Sequence, residues 1–437
     1  MTKKIQVGLI GCGTVGTGVA KLLLDHQSLI ERRTGVKFQL KKIADLYPKK
    51  NRPFKLPSAL FTKDAENILN DPDISVVVEL IGGIEPAKTF LLKALDRGKH
   101  VVTANKALLA DHGIEIFQKA LQKGLQVGFE ASVAGGIPII RAISEGFVAN
   151  HISQVYGIIN GTCNYILSEM TAHGSPYDTV LKKAQKAGYA EANPALDVGG
   201  IDAAHKLTLI AMLCYGAGVT TKKIFVEGIE RISPIDIEFA KKIGFTIKLL
   251  AISKEQGGTI ELRVHPTMIP STHQLATVSG PFNAIYLKGD AVGETLFYGR
   301  GAGMMPTASA VVSDVVAVSR AHDERGIIGI HEFEDMELRP MDKIESEYYL
   351  RVEVVDKPKV LSQITGILGQ HDISIASVYQ PQQDHGAKVP IIILTHRGQE
   401  KNVQKAILKI DELPFVVDKT VIIRVEHFRK KEGKEKG

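Results

Sequence analysis

The sequence predicts an α/β chain in three parts: a Rossmann-type, doubly wound parallel sheet over residues 1–130, an α+β segment over 131–340, and a ferredoxin-like βαββαβ module over 348–427. Three observations predict it. Apolar strand-like runs alternate with helical stretches through the first part, the rhythm of βαβ units on a parallel sheet. A glycine-rich turn joins the first strand to the first helix. The last part reads strand, helix, strand, strand, helix, strand.

In chain order, the apolar strand Ile5 to Ile10 runs into Gly11-Cys12-Gly13-Thr14-Val15-Gly16 and then a helix through Val19 to Leu24. This is the dinucleotide fingerprint in its proper strand–turn–helix setting. Gly11 permits the tight turn, Gly13 lets backbone approach a pyrophosphate, and Gly16 allows helix to pack on strand, while Thr14 and Val15 open the helix whose free N–H groups face the phosphates. The second strand, FQLKKIADL, ends near Asp45, whose carboxylate can accept hydrogen bonds from an adenine ribose and would favour NAD. Lys49 and Lys50 follow and could neutralise a 2′-phosphate, so NAD and NADP both stay open. The insertion IERRTGVKF makes the spacing to Asp45 longer than the usual fingerprint.

The strands ISVVVELIG, HVVTANK and LQVGFEAS, with the helix TFLLKALDRG, continue the alternation. Lys106 falls just past a strand, at the carboxyl end of the sheet where open α/β folds bind ligands. In the middle segment, strand-like VYGIIN and TIELRVHPTMI sit among helices, and IDAAHKLTLIAMLCYG has apolar residues at helical spacing. Its C-terminal helices are expected to pack back on the first part. Asp202 and Lys206 are four apart on that helix, so they share a face. The loop before it, crowded with Glu191, Asn193 and Asp197, is built for a polar pocket rather than a core. An ordinary solvated ion pair on a capped helix is the alternative. His331 to Ser346 reads as a charged linker, and residues 428–437 as a basic tail.

Bulk properties narrow the class. The chain has 437 residues, 44% hydrophobic and 23% charged, ample for several cores. Three cysteines without a CxxC pair indicate a cytoplasmic protein without disulfides or a thiolate zinc site. No apolar run is long enough for a bilayer, and no export signal is visible. A net charge of +6, scattered basic residues, 6% aromatics and no tryptophan argue against nucleic-acid binding. The 14 histidines show no HExxH spacing, which argues against a catalytic transition metal.

The stretch Ala184 to Lys206, read as A-x3-G-Y-A-x2-N-P-x2-D-V-x-G-x-D-x3-K, resembles the signature of the homoserine dehydrogenases. TANK at 103–106, FEASVAGGIPI at 129–139, NGTCNYIL at 160–167 and GRGAGMMPTASAVVSD at 299–314 follow the order of that family. The resemblance implies NAD(P)-dependent interconversion of L-homoserine and L-aspartate 4-semialdehyde, at the branch toward threonine and methionine. It implies Lys206 as proton donor and acceptor, Asp202 as its positioning partner, and Lys106 as a group that touches cofactor and substrate and shares in proton transfer. Glu191 would take the substrate ammonium, with Asp197 and Thr162 also binding substrate. Thr103 and Ala104 would line the nicotinamide side, and Gly188 and Gly303 would let backbone approach ligand. Glu130, Val133, Gly135 and Ile137 match positions that hold sodium or a similar cation, largely through carbonyls. Asn160, Gly161 and Thr162 read equally well as a capped helix start.

RVEVVDKPKVLSQITGILGQHDISIASV resembles an ACT domain, which implies an amino-acid effector such as threonine and a homodimer or homotetramer. Lys359 stands where that family often has glycine, at a turn that favours positive φ. No aspartate kinase segment precedes the first strand, which implies the monofunctional form. Two other readings compete. An aspartate-semialdehyde dehydrogenase would need a nucleophilic cysteine, for which Cys163 is the candidate. An amino-acid sensor with a dead dinucleotide domain would need losses at the glycine turn or Lys206, and neither is lost.

Overall fold

The computed structural model describes residues 3–320, 333, 336–381 and 388–428. Its N-terminal layer is a parallel sheet of β1 (Lys3–Ile10), β2 (Val36–Ala44), β3 (Phe61–Thr62), β4 (Ile74–Glu79), β5 (His100–Thr103) and β6 (Val127–Gly128), ordered β3-β2-β1-β4-β5-β6. The strand order reverses between β1 and β4, which opens a ligand crevice beyond the carboxyl ends of these strands. Helices cover both faces, so the central strands are apolar throughout, and Val76, Val77 and Val78 are wholly buried. Helix Met304–Arg320 returns to this layer, where Ala308, Val311 and Val315 share a core with Val19, Ala20 and Leu23 of helix Thr14–Asp25. The two helices touch closely: a Cβ on Gly18 would stand 3.0 Å from both Ala308 and Met304.

The second sheet combines the middle segment and the C-terminal module. Its strands are β7 (Ile152–Ile158), β8 (Phe225–Val226), β9 (Phe245–Gln256), β10 (Thr259–Pro270), β11 (Phe282–Gly289), β12 (Gly293–Arg300), β13 (Glu337–Leu338), β14 (Glu345–Val355), β15 (Ile375–Tyr379), β16 (Lys388–Thr395), β17 (Gly398–Gln399) and β18 (Val421–Val425). The main path runs β12-β11-β7-β9-β10-β18-β14-β16-β15. The C-terminal module shows the βαββαβ order, with helices Val360–Gln370 and Glu400–Asp411 packed over its own core. Its last strand also leaves that core to pair in parallel with β10, at Thr267↔Arg424 and Met268↔Val425. The module and the middle segment therefore share one continuous sheet.

Three local expectations change. Where a linker was expected up to Ser346, Glu337–Leu338 pairs with β10, the chain is already in β14 from Glu345, and the buried Ser346 hydroxyl donates to the Val425 carbonyl at 3.0 Å. Of the charges that suggested a linker, Glu337 and Glu345 lie on strands and Asp342 and Lys343 in a 3-10 turn, while 331, 332, 334 and 335 lie outside the described residues. Phe428, assigned to the tail, stacks on His273 with ring centroids 3.5 Å apart, while 429–437 lie outside the described residues. Lys359 adopts φ 72°, the left-handed conformation that glycine would have taken there, and caps helix Val360–Gln370 through its backbone. A lysine holds this geometry at a cost of about 1 kcal/mol relative to an unstrained turn.

The β10–β18 seam encloses charge. Arg263, almost wholly buried, binds Glu261 at 2.8 Å and also binds Glu426, which in turn takes Lys254 at 2.9 Å. Arg424, equally buried, binds Glu400 at 2.6 Å and Glu227 at 2.8 Å. His265 sits between the two arginines, and burial together with their charge keeps it neutral, well below the usual histidine range. Such pairs contribute little net stability when complete, but removing one partner strands a buried charge. Burial alone would raise the Glu426 pKa, yet Arg263 and then Lys254 outweigh it and hold it at about 2. A depressed carboxylate pKa contributes stability that is present above the ordinary value of 4.5 and lost as pH falls toward about 2. Glu426→Gln should therefore cost roughly 3 kcal/mol at neutral pH and flatten the acid limb. Denaturant midpoints measured from pH 6 downward check this, and an unchanged acid slope would contradict it.

Candidate active site

The site forms where the carboxyl ends of β1 and β5 face the middle segment. At β1, Gly11 takes φ 94°, a Cβ on Gly16 would stand 2.2 Å from the Gly11 carbonyl, and Gly13, which caps helix Thr14–Asp25, has no neighbour within 4 Å of where its Cβ would be. These are the tight turn, the helix-on-turn packing and the open approach that the glycine spacing requires. Thr14 and Val15 open that helix. Asp45 lies past the end of β2, and its carboxylate accepts the Cys12 N–H at 2.8 Å and the Tyr47 N–H at 2.7 Å. Arg52, not singled out in the sequence, sits 3.3 Å from Asp45 and donates to the Cys12 carbonyl at 3.1 Å.

At β5, the buried Thr103 hydroxyl donates to Glu79 at 2.6 Å and accepts the Asn105 N–H at 3.0 Å. Its side chain is thereby committed, and only its main chain is left to face a ligand. Ala104 is half-buried beside it. Asn105 caps helix Lys106–Lys123, which projects Lys106 from the helix start. The Lys106 ammonium lies 3.1 Å from Asp202 Oδ1. Adjacent strands stand about 4.8 Å apart, so β5, two places from β1, is about 10 Å from the glycine turn.

Asp202 and Lys206 lie one turn apart on helix Ile201–Tyr215, an apolar helix that buries both. Lys206 Nζ donates to Asp202 Oδ2 at 2.7 Å and to the Ile159 carbonyl at 2.7 Å. The solvated ion-pair alternative does not describe this geometry. Burial opposes ionisation of Asp202, yet the charges of Lys206 and then Lys106, with hydrogen bonds from Lys206 and Asn160, hold its carboxyl well below the usual range. Asn160 Nδ2 also donates to Asp197 Oδ1 at 2.7 Å. Thr162 bridges the Tyr189 carbonyl at 2.7 Å and Asp197 Oδ2 at 3.3 Å.

The structure thus gathers Lys106, Asp202, Lys206, Asp197 and Thr162, and adds Asn160 and the Ile159 carbonyl to them. Glu191 lies exposed in the loop before this helix, and its carboxylate makes no hydrogen bond or ion pair among the described residues. Gly188 takes φ 77° in the same loop, and Gly303 takes φ 127° just before helix Met304–Arg320. Cys163 is fully buried, its thiol donates to the Asp197 carbonyl at 3.1 Å, and burial pushes its pKa far up. It cannot serve as an exposed nucleophile, which removes the thioester reading.

Glu130 is buried, and its two carboxylate oxygens accept the Ile140 and Arg141 N–H groups at 2.8 and 2.9 Å. The Ile137 carbonyl accepts the Ile139 N–H at 2.8 Å. Ala134 and Gly135 both take positive φ, 54° and 43°, and turn the backbone sharply just after Val133. Among the described residues no group of three or more His, Cys, Asp or Glu is placed to hold a metal ion. Main-chain carbonyls at this segment are hard oxygen donors.

Comparison with known proteins agrees with this geometry. The family profile described as the homoserine dehydrogenase NAD-binding domain matches residues 11–130, the homoserine dehydrogenase profile matches 138–316, and the ACT domain profile matches 348–415. The homoserine dehydrogenase of Neisseria gonorrhoeae is 44% identical over 97% of this chain and 99% of its own length. That of Helicobacter pylori is 45% identical over 98% of this chain and its whole length. The crystal structure of a homoserine dehydrogenase from Thiobacillus denitrificans superposes with a TM-score of 0.90 at 45% identity, covering 97% of this chain and 98% of that one. A Staphylococcus aureus homoserine dehydrogenase gives 0.76 at 33% identity, covering 98% of this chain and all of that one. With the glycine turn, the Lys106–Asp202–Lys206 cluster and the βαββαβ module in place, the chain belongs to the homoserine dehydrogenase family, the NAD(P)-dependent oxidoreductases that interconvert L-homoserine and L-aspartate 4-semialdehyde, and carries an ACT domain.

Proposed function

We propose that Lys206 is the proton donor for aldehyde reduction and the acceptor in the reverse direction. The observation that carries this is its hydrogen bonding: an ammonium has three N–H donors, and Asp202 and the Ile159 carbonyl use two of them. The third is available to the oxygen that becomes the homoserine hydroxyl. The nicotinamide supplies the hydride to the aldehyde carbon. Asp202 stays ionised, fixes Lys206 and balances the two ammonium charges. Lys106, at the end of β5, adds positive charge where the carbonyl oxygen becomes more basic. Glu191 accepts the substrate ammonium, while Asp197 and Thr162 hold the pocket wall between them and bind substrate. Thr103, Ala104, Gly188 and Gly303 contribute the backbone that lines the cofactor.

Following NAD(P)H consumption with L-aspartate 4-semialdehyde tests the assignment. Lys206→Ala should lower kcat by about 10²- to 10⁴-fold, the usual share of a general acid. Wild-type turnover in that variant would remove the role. Arg52 offsets the charge of Asp45, and Lys49, Lys50 and Lys63 line a hollow with Leu46 and Tyr47 just past Asp45 in the chain, which supports acceptance of NADP as well as NAD. Comparing NADPH with NADH in the same assay decides the preference.

The ACT domain supports an amino-acid effector, with threonine as the expected one. The seam argues for testing the whole chain: ending it near Ser346 would strip β18 from β10 and strand Arg263 without Glu426. Titration of the intact enzyme with L-threonine should lower its activity, and full activity at saturating threonine would overturn this effector. The sharp backbone turn made by the positive φ of Ala134 and Gly135 supports a sodium or similar ion at the segment carrying Glu130, Val133, Gly135 and Ile137, held largely by main-chain carbonyls. The sheet ends in two edge strands, β12 and β15, with Tyr298, Val378 and Tyr379 exposed on them, which supports assembly as a homodimer or homotetramer. Light scattering on the intact chain measures that state. No helix among the described residues is long and apolar enough to cross a membrane, which fits a cytoplasmic enzyme.

A further inference from the structure

We infer that Asn160 is a positioning residue for proton transfer: its side-chain amide binds the Asp197 and Asp202 carboxylates into one unit and so aims Asp202 at Lys206. The inference rests on the role proposed for Lys206.

Asn160 precedes helix Gly161–His173, and its Oδ1 accepts the Cys163 N–H at 2.8 Å, an ordinary helix cap. That bond fixes which end of the amide is oxygen. The two hydrogens of Nδ2 then point to two different acceptors, Asp197 Oδ1 at 2.7 Å and Asp202 Oδ2 at 2.9 Å. Capping explains the oxygen and leaves the nitrogen unexplained, because Ser, Thr and Asp cap as well as Asn but carry no such pair of donors.

The pair of donors solves an electrostatic problem. Two carboxylates placed side by side repel. A donor between them, together with the Lys206 and Lys106 ammonium groups on the Asp202 side, offsets that repulsion and keeps Asp202 ionised. Asp202 then has its plane set by three groups: Asn160 and Lys206 on Oδ2, and Lys106 at 3.1 Å from Oδ1. The residue before Asn160 supplies the other Lys206 acceptor, the Ile159 carbonyl. A single turn at the end of β7 thus fixes both the lysine and its counter-ion.

The charged and titratable groups around Asn160 are Asp197 before helix Ile201–Tyr215, Asp202 and Lys206 on it, Lys106 on helix Lys106–Lys123, and the Cys163 thiol on its own helix, with Glu230 contributing to the field at Cys163. Two variants separate positioning from capping. Asn160→Ser keeps a cap and loses the bridge. Asn160→Asp keeps a cap and puts a third carboxylate against the other two, yet becomes a donor again when protonated. We expect Asn160→Ser to lower kcat about 10- to 100-fold, the scale of a small misplacement of reacting groups, with KM less affected, and to lower the thermal midpoint as two bonds to carboxylates are lost. Asn160→Asp should be impaired at alkaline pH and recover part of its kcat as pH falls, so that its pH profile shifts to the acid side of the wild type. Wild-type kcat in Asn160→Ser, or a uniform loss in Asn160→Asp with no shift of the profile, would overturn the inference. Lys206→Ala measured alongside keeps the two claims apart: if it stays active, the proton-transfer reading fails. If it is inactive while both Asn160 variants behave as wild type, only the role of Asn160 fails.

Discussion

Everything in the site depends on one buried anion, the Asp202 carboxylate held between two ammonium groups. Burying an isolated carboxylate is costly, and a protein normally escapes by protonating it. Here Lys206 approaches from one turn along the helix and Lys106 from the first turn of another, and their charge outweighs the desolvation. The arrangement joins two parts of the chain. Lys106 comes from the end of a nucleotide-sheet strand and Asp202 from a helix of the middle segment, so the cofactor crevice and the proton-transfer pair are fixed in one frame.

The same economy governs the seam to the C-terminal module. The desolvation of Arg263 and Arg424 is offset only because Glu261, Glu426, Glu400 and Glu227 reach them from both sides. β7 touches both regions: Tyr156 donates to Glu426 at 3.3 Å, and three residues later the Ile159 carbonyl accepts from Lys206. Stability and catalytic geometry therefore draw on one strand and the turn that follows it.

The parts of this design that were legible in the sequence are those written at short range. The glycine spacing, the βαβ alternation and the four-residue interval from Asp202 to Lys206 each express a local geometric rule. Lys106 could be placed at a strand end, but its contact with Asp202 depends on how two parts pack. Asn160 read as a cap because its cap is local, while the carboxylates its nitrogen binds lie 37 and 42 residues away. The seam was not legible at all: Arg263 and Glu426 are 163 residues apart, and two parallel ladder pairs between β10 and β18 leave no periodic trace. Lys359 shows the reverse case, since the turn was read correctly as one that glycine suits, and the surrounding fold imposes the same conformation on lysine.

If Asp202 and Lys206 act as one proton-transfer unit, their contributions to catalysis cannot be independent. A double-mutant cycle on kcat/KM with Asp202→Asn, Lys206→Ala and the combined variant measures the coupling directly. The account predicts that the combined variant is about as slow as the slower single variant, because each substitution disables the same device. Losses that simply multiply would contradict it and would mean that the two residues serve separate steps.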